Sequence, residues 1–496
     1  MEYYQTPSLW RRAENCPILH PEAAKDCILP DSYPDIHRIL YTFATVNPGR
    51  TVFSAGKLQT EGVLYTSVLF ADEEGALHTV RFVLDYAGQM PFAAEGGEYT
   101  AVSDTVLDSV SARAQNPRKL AIRGRLTVTP YLFVRCDDEP TLASELSGVT
   151  LEKKLQTFTC WQLRQWSEEG IEASEDLALG QEPPISEIVW SNLQLEITSC
   201  EAGEGEVQFG GNGLLHLFYL TNEGRVQYTN IAFPIRSSVQ SDVPAGALCR
   251  VMLIPEQVTV LPVEDAAGEA RGVELDFTYS VRVAAAWQVS CTRPVDCYSV
   301  EIPTAIRTET VDLLSAVTGL SREFDRSVEG ESGGLTSILH TAAQMVVDSR
   351  EQSEEGVVLH CTAQITVLGT NSDGAPLGVQ LTENFPLTVD AGELCFCRFD
   401  CLAQPAAVLE ENTLKVRLVG KISGFAMETG AVSYVGSVLP SEGQLPSDAD
   451  SITLCYPAPG ETLWDIAKRY RIPQSAILSA NSVPEGTLPA VLLIPH

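Results

Sequence analysis

Val63-Leu-Tyr-Thr-Ser-Val-Leu-Phe-Ala-Asp-Glu-Glu-Gly75 is the stretch on which the fold turns. β-Branched, aromatic and aliphatic residues run into a short acidic turn that ends on glycine, the pattern of a β-hairpin. It returns as Leu214-Leu-His-Leu-Phe-Tyr-Leu-Thr-Asn-Glu-Gly224 and as Thr362-Ala-Gln-Ile-Thr-Val-Leu-Gly-Thr-Asn-Ser-Asp-Gly374, so the turn glycines stand 149 and 150 residues apart. A second landmark keeps that register: Pro34-Asp-Ile-His-Arg-Ile-Leu-Tyr41 recurs as Pro183-Pro-Ile-Ser-Glu-Ile-Val-Trp190 and as Gly333-Gly-Leu-Thr-Ser-Ile-Leu-His340. Two landmarks in one register predict three tandem copies. Between them, alternating runs such as 120–128, 273–283 and 414–422 are bounded by Gly, Pro, Asp or Asn, which predicts antiparallel sandwich or barrel-like repeats. The expected fold class is mainly β, with repeats at 1–145, 146–305 and 306–440. Residues 151–169 and 310–326 read as connectors, the Ile-Leu-Tyr landmark as a short helix or a strand entry, and the Pro-, Ser-, Gly- and Asp-rich 437–450 as a flexible linker.

Length supports several domains, because 496 residues exceed what one hydrophobic core organises. The 44% hydrophobic content argues for folded units. With 65 acidic against 33 basic residues, the net charge of -32 repels phosphate backbones and anionic headgroups, so neither nucleic acid nor a membrane surface is an expected partner. Arg11-Arg12 is followed by no apolar run, and no uncharged stretch of about 18 apolar residues occurs, so a cytosolic protein is expected. Thirteen cysteines, scattered and without a C-x-x-C pair, read as reduced thiols. No metal or cofactor is expected.

The last 46 residues carry a sharper signal. In Ile452-Thr-Leu-Cys-Tyr-Pro-Ala-Pro-Gly-Glu-Thr-Leu-Trp-Asp-Ile-Ala-Lys-Arg-Tyr470, Ile452, Leu454 and Tyr456 alternate as in a half-buried strand, and Pro457 to Gly460 break it. Thr462 is the N-cap of a helix with Asp465 completing a capping-box variant. Pro473 opens a second helix whose Ile477 and Leu478 are expected to face inward, and residues 488–494 close the module as a strand. This tail resembles the LysM domain. The resemblance implies a shallow groove for N-acetylglucosamine-containing glycans built from Gly460, Glu461, Thr462 and Leu463 on one loop and Ile477, Leu478 and Asn481 on the other. Trp464, at helical spacing, reads as core or rim rather than as a sugar platform.

Three β copies followed by a LysM-like tail resemble the SPOCS-domain spore-coat morphogenetic proteins. The local matches are Cys27-Ile-Leu-Pro-Asp-Ser-Tyr-Pro-Asp-Ile-His-Arg-Ile-Leu40, Glu175-Asp-Leu-Ala-Leu-Gly-Gln-Glu-Pro-Pro-Ile-Ser-Glu-Ile188, and the Phe-Pro pairs Phe233-Pro234 and Phe385-Pro386, where the first copy has Phe82-Val83. That resemblance implies a non-enzymatic scaffold at the forespore surface in the mother cell. Its LysM tail would contact the ATPase that polymerises into the basal coat layer, beside other coat proteins. The alternative is a peptidoglycan-binding protein of cell wall or cortex.

Other motifs are weaker. Gly330-Glu-Ser-Gly-Gly334 fits G-x-S-x-G but lacks the preceding apolar strand and reads as a loop. Gly211-Asn-Gly213 lies ahead of a hairpin and reads as a bulge or turn. The acidic groups Glu172, Glu175 and Asp176, and Glu201, Glu204 and Glu206, read as solvated faces that keep a β protein soluble.

Overall fold

The computed structural model describes residues 10–12, 16–93, 98–135, 141–142, 148–401, 404–442, 453–481 and 488–495. Six strands recur three times. The first set is β2 (Glu22–Ile28), β3 (Arg38–Ser54), β4 (Lys57–Ala71), β5 (Leu77–Pro91), β6 (Tyr99–Asn116) and β7 (Lys119–Arg135), with β1 (Trp10–Arg12) ahead of it and β8 (Thr141–Leu142) after it. The second is β9 (Leu151–Ala178), β10 (Ile185–Ala202), β11 (Glu206–Thr221), β12 (Val226–Gln240), β13 (Leu248–Glu264) and β14 (Ala270–Ser299). The third is β15 (Thr304–Glu331), β16 (Ser337–Ser353), β17 (Gly356–Thr370), β18 (Pro376–Val389), a divided β19 (Glu393–Cys401) and β20 (Ala406–Glu410), and β21 (Thr413–Pro440). In each set the middle three strands form an antiparallel meander: β3-β4-β5, β10-β11-β12 and β16-β17-β18. The outer strands form a second sheet with the last strand in its middle: β2-β7-β6, β9-β14-β13 and β15-β21-β19.

Each pair of sheets closes on its own apolar layer. Leu64, Val68 and Phe70 meet Leu120, Ile122 and Leu126 in the first unit. Leu215, Leu217 and Tyr219 meet Leu275, Phe277 and Tyr279 in the second, and Leu359, Cys361 and Ile365 meet Leu414, Val416 and Leu418 in the third. The first and third hairpin turns repeat in atomic detail, and all three share the glycine conformation. Asp72 Oδ1 accepts from the backbone N–H of Glu74 and Ala76, Asn371 Oδ1 from those of Asp373 and Ala375, and the glycines Gly75, Gly224 and Gly374 all take positive φ.

Residues 151–169 and 310–326, expected as connectors, are instead strand. They lie within β9 and β15, each 28 residues long and paired along its length with β14 or β21. Both flank a sheet with much of their length exposed, so polar residues interrupt the apolar pattern that would have marked them. The Ile-Leu-Tyr landmark is strand, not helix, since β3 begins at Arg38. Ser437 to Pro440 of the expected linker finish β21, and 443–450 lie outside the described residues. Gly211 and Gly213 sit inside β11, not in a turn: a Cβ on Gly211 would lie 1.9 Å from the Glu196 carbonyl oxygen, and one on Gly213 2.1 Å from the Phe233 ring. The register shift falls across from Gly210 and Gly211, at Ile197/Ser199 of β10. Gly330 and Glu331 end β15, and Ser332 opens a turn whose Gly333 and Gly334 take positive φ.

The units close into a ring. Tyr41, Trp190 and His340, the same landmark position in three copies, gather at one junction, with ring centroids 6.4 Å apart for Tyr41–Trp190 and 5.8 Å for Trp190–His340. Leu69, Phe218 and Leu368, the equivalent hairpin residues, pack into the same cluster. This is why the hairpin arms read as nearly continuous apolar runs: one face lines the unit's own core and the other the junction. Arg81 of unit 1 donates to Ser191 and Val258 of unit 2, Asn230 of unit 2 to Gln404 of unit 3, and Gln344 and Gln364 of unit 3 to the Leu107 and Asp108 carbonyls of unit 1. A second shared cluster joins Tyr131 and Phe133, Leu163 and Ala286, and Phe396 and Phe425.

Gly378 marks where unit 3 returns to unit 1. It lies across the ladder from Leu368, as Thr79 does from Leu69 and Tyr228 from Phe218, and a Cβ there would sit 2.5 Å from the Leu40 carbonyl oxygen. Backbone cannot yield as a side chain can. Gly378→Ala is therefore expected to cost about 2–3 kcal/mol, read from a lowered urea midpoint.

Candidate binding module at the C-terminus

The tail forms β22 (Thr453–Cys455), α1 (Leu463–Tyr470), α2 (Gln474–Ala480) and β23 (Leu492–Ile494), with β22 and β23 antiparallel and Cys455 opposite Leu492. The sequence starts α1 where expected. Thr462 Oγ1 accepts from the Asp465 N–H at 3.3 Å and Asp465 Oδ2 accepts from the Thr462 N–H at 2.9 Å, a complete capping box. These bonds from Thr462 hold the Asp465 carboxyl below the usual carboxylate range. Lys468 and Arg469 complement the other end of the helix dipole, and Arg471 terminates the helix in the left-handed region at φ 55°. Trp464, Ile466, Ala467 and Ile477 are buried with Cys455, Leu492 and Ile494.

Two inward assignments are corrected. Leu454 and Tyr456 point outward, 54% and 70% exposed, because Cys455 is the β22 side chain that meets the helices; Ile452 lies outside the described residues. Leu478 is 45% exposed, since Ile477 alone takes the buried position of that turn of α2.

The seven proposed groove residues divide by role. Gly460 forms an exposed turn at φ 84°. Glu461 is tied down, accepting from the Ala458 N–H at 2.9 Å and pairing with Arg469. Thr462 caps α1, while half-buried Leu463 joins the core that contains Ile477. Asn481 staples α2 to β23: its Nδ2 donates to the Ile477 and Leu493 carbonyls at 2.8 and 2.7 Å, and its Oδ1 accepts from the Leu493 N–H at 2.7 Å. Ile477 and Leu478, expected on a loop, lie within α2, whose helical turn buries the first and exposes the second; Gly460, Thr462 and Leu478 are the exposed members, and the other four hold the module in shape.

Sequence reasoning missed how the module is attached. Asp296 of β14 accepts from Trp464 Nε1 at 2.8 Å and pairs with Lys468 Nζ at 2.6 Å. Tyr298, two residues on, stands edge-on to Trp464 with centroids 5.1 Å apart and donates to the Ile472 carbonyl at 2.7 Å. Burial pushes the Tyr298 phenol up to about 12, so it remains a donor at neutral pH. The available signal was the four-residue spacing of Trp464 and Lys468, which puts both on one face of α1. No residue of this clasp is among the seven proposed groove residues.

Among the described residues, no three His, Cys, Asp or Glu side chains gather as metal ligands would, and no helix is long and apolar enough to cross a membrane. Fold and site together define a mainly β protein with a small, docked, two-helix domain in its C-terminal region. Residues 458–490 match the LysM domain family. No curated protein and no solved structure matches the chain.

Proposed function

We propose that this chain acts by binding, its LysM domain taking an N-acetylglucosamine-containing glycan such as peptidoglycan between the 460–463 segment and the C-terminal end of α2 at 477–481, with the three-unit body as its base. The clasp carries this reading: Asp296 and Tyr298 hold the domain through Trp464, Lys468 and Ile472, and Gly460, Thr462 and Leu478 stay exposed. Leu478 is the cleanest probe because it is exposed and packs in no core. Leu478→Asp is expected to weaken retention of the full-length protein on insoluble peptidoglycan, and its affinity for chitin oligomers, about tenfold, with an unchanged circular dichroism spectrum. Absence of retention by the unaltered protein refutes glycan binding.

A second reading keeps the same head and changes its occupant: a non-enzymatic adaptor of spore-coat assembly at the forespore surface, whose LysM domain contacts the coat-polymerising ATPase. Buried thiols such as Cys27, Cys297, Cys361 and Cys397 favour it, because reduced cysteines suit a reducing mother-cell cytosol. It predicts that the ATPase co-purifies from sporulating-cell lysate with the full-length protein and is lost with Leu478→Asp. Capture of peptidoglycan alone rejects it.

A further inference from the structure

The corner where the two sheets of unit 2 meet holds a second feature, separate from the LysM domain. Cys200 stands on β10, an edge strand of the meander, and Cys249 on β13, an edge strand of the other sheet. Each is paired away from the other, Cys200 with Phe209 of β11 and Cys249 with Ala285 of β14. The Cys200 thiol spans the gap and donates to the Cys249 carbonyl at 3.0 Å. Both side chains are half-buried against one apolar layer, beside Ile197, Ala247 and Val251, and both are free thiols. Burial, and then the neighbouring Cys200, push the Cys249 thiol up to about 11. Burial raises Cys200 as well, opposed by Arg250 and by a hydrogen bond from the Val251 N–H. Little thiolate therefore exists at neutral pH, and the pair stays reduced until an oxidant is in excess.

A disulfide needs two Cα atoms about 4.4–6.8 Å apart, the spacing of neighbouring strands, and a sulfur already touching the other cysteine's carbonyl leaves the thiols within a side-chain rotation of each other. We propose that Cys200 and Cys249 form a disulfide when the protein meets a two-electron thiol oxidant, and that this bond rivets the two sheets of unit 2 together. With a diazene such as diamide, the Cys200 sulfur adds to one nitrogen of the N=N bond. The Cys249 sulfur then attacks the Cys200 sulfur, forms the S–S bond and expels the hydrazine. The two thiols give up two electrons and two protons, and the diazene takes up both. The cross-link joins positions 49 residues apart (249 − 200), a long loop to remove from the unfolded chain. Unit 2 also carries Asp296 and Tyr298, so the bond stiffens the base on which the LysM domain is docked.

The test treats reduced full-length protein with diamide at about pH 8, where thiolate is more abundant, then unfolds it in excess N-ethylmaleimide and maps the digest by mass spectrometry. A peptide pair joined through Cys200 and Cys249 is expected, with a melting temperature higher by about 5 °C, and dithiothreitol should reverse both. Cys200→Ser, which can keep the bond to the Cys249 carbonyl, should lose the linked peptide and the rise. The wild-type map decides alone if a variant fails to fold. Maleimide on both cysteines after native oxidation, a linked-peptide yield no higher than from protein oxidised in urea, or a rise kept in folded Cys200→Ser overturns the proposal.

Discussion

Below pH 6.5 the protein is expected to lose about 2.7 kcal/mol of folding stability per pH unit through His216 and His340 together, down to about pH 4. Both imidazoles are buried at the junction between units 2 and 3, with ring centroids 5.5 Å apart. His216 Nδ1 meets the Tyr228 hydroxyl at 2.6 Å while its Nε2 has no partner, and His340 packs 4.7 Å from the Tyr228 ring and hydrogen-bonds Gln404 at 3.3 Å. Burial lowers His216 to about 4; burial and the neighbouring His216 lower His340 to about 3. The sign follows from depressed folded values. Above about pH 6.5 both states hold neutral rings and no penalty exists. As pH falls, the unfolded chain takes up protons that the folded ring refuses, so the loss grows until the folded values are reached, at about 1.4 kcal/mol per histidine per unit. Asp104 acts in the opposite direction, since a carboxyl raised by burial is relieved as it protonates. The comparison that isolates the histidines is therefore the wild type against His340→Gln, which can keep the bond to Gln404. Urea midpoints measured from about pH 7 to about pH 4.5 should fall less steeply in the variant, by about 1.4 kcal/mol per unit. Equal slopes would mean that His340 is solvated.

Trp464→Ala should cost the C-terminal domain about 3–5 kcal/mol and release it from the body. The indole is buried in the small core with Ile466, Ile477 and Leu492, and the same side chain supplies the ring against Tyr298 and the N–H to Asp296. A domain of two short helices and two three-residue strands has little other apolar area to compensate. Asp296→Asn separates docking from folding, because it lies outside the domain. It removes the charge that Lys468 meets, and about 1–2 kcal/mol is expected after allowance for the partial exposure of both groups. Limited proteolysis reads the difference. Trp464→Ala should yield a degraded tail, whereas Asp296→Asn should yield an intact fragment released from the body. A tail that stays protected in Trp464→Ala would show that the indole is dispensable.

Much of this architecture was legible in residue spacing. The 149- and 150-residue offsets mark positions that the structure places in equivalent hairpins, and the Thr462–Asp465 box set the start of α1, because turns and caps depend on neighbours close in the chain. Strands β9 and β15 were hidden, since their partners β14 and β21 lie about a hundred residues away and their exposed faces carry no apolar alternation. Of the proposed groove residues, Ile477 and Leu478 were expected on a loop but lie within α2, and neither the exposure of Leu478 nor the framework duty of Asn481 was legible, since both depend on how α2 packs beside β23.

The chain alone determined its mainly β character, its repeat register and the LysM-like tail, all encoded in short-range alternation, turn chemistry and capping. Tertiary structure alone decided that the copies close into a ring, that Tyr41, Trp190 and His340 share one junction, that Cys200 meets Cys249 where two sheets join, and that Asp296 and Tyr298 hold the terminal domain. The reason is physical. Those meetings bring together different strands and different units; they depend on how whole sheets pack, and no local preference of the backbone records them.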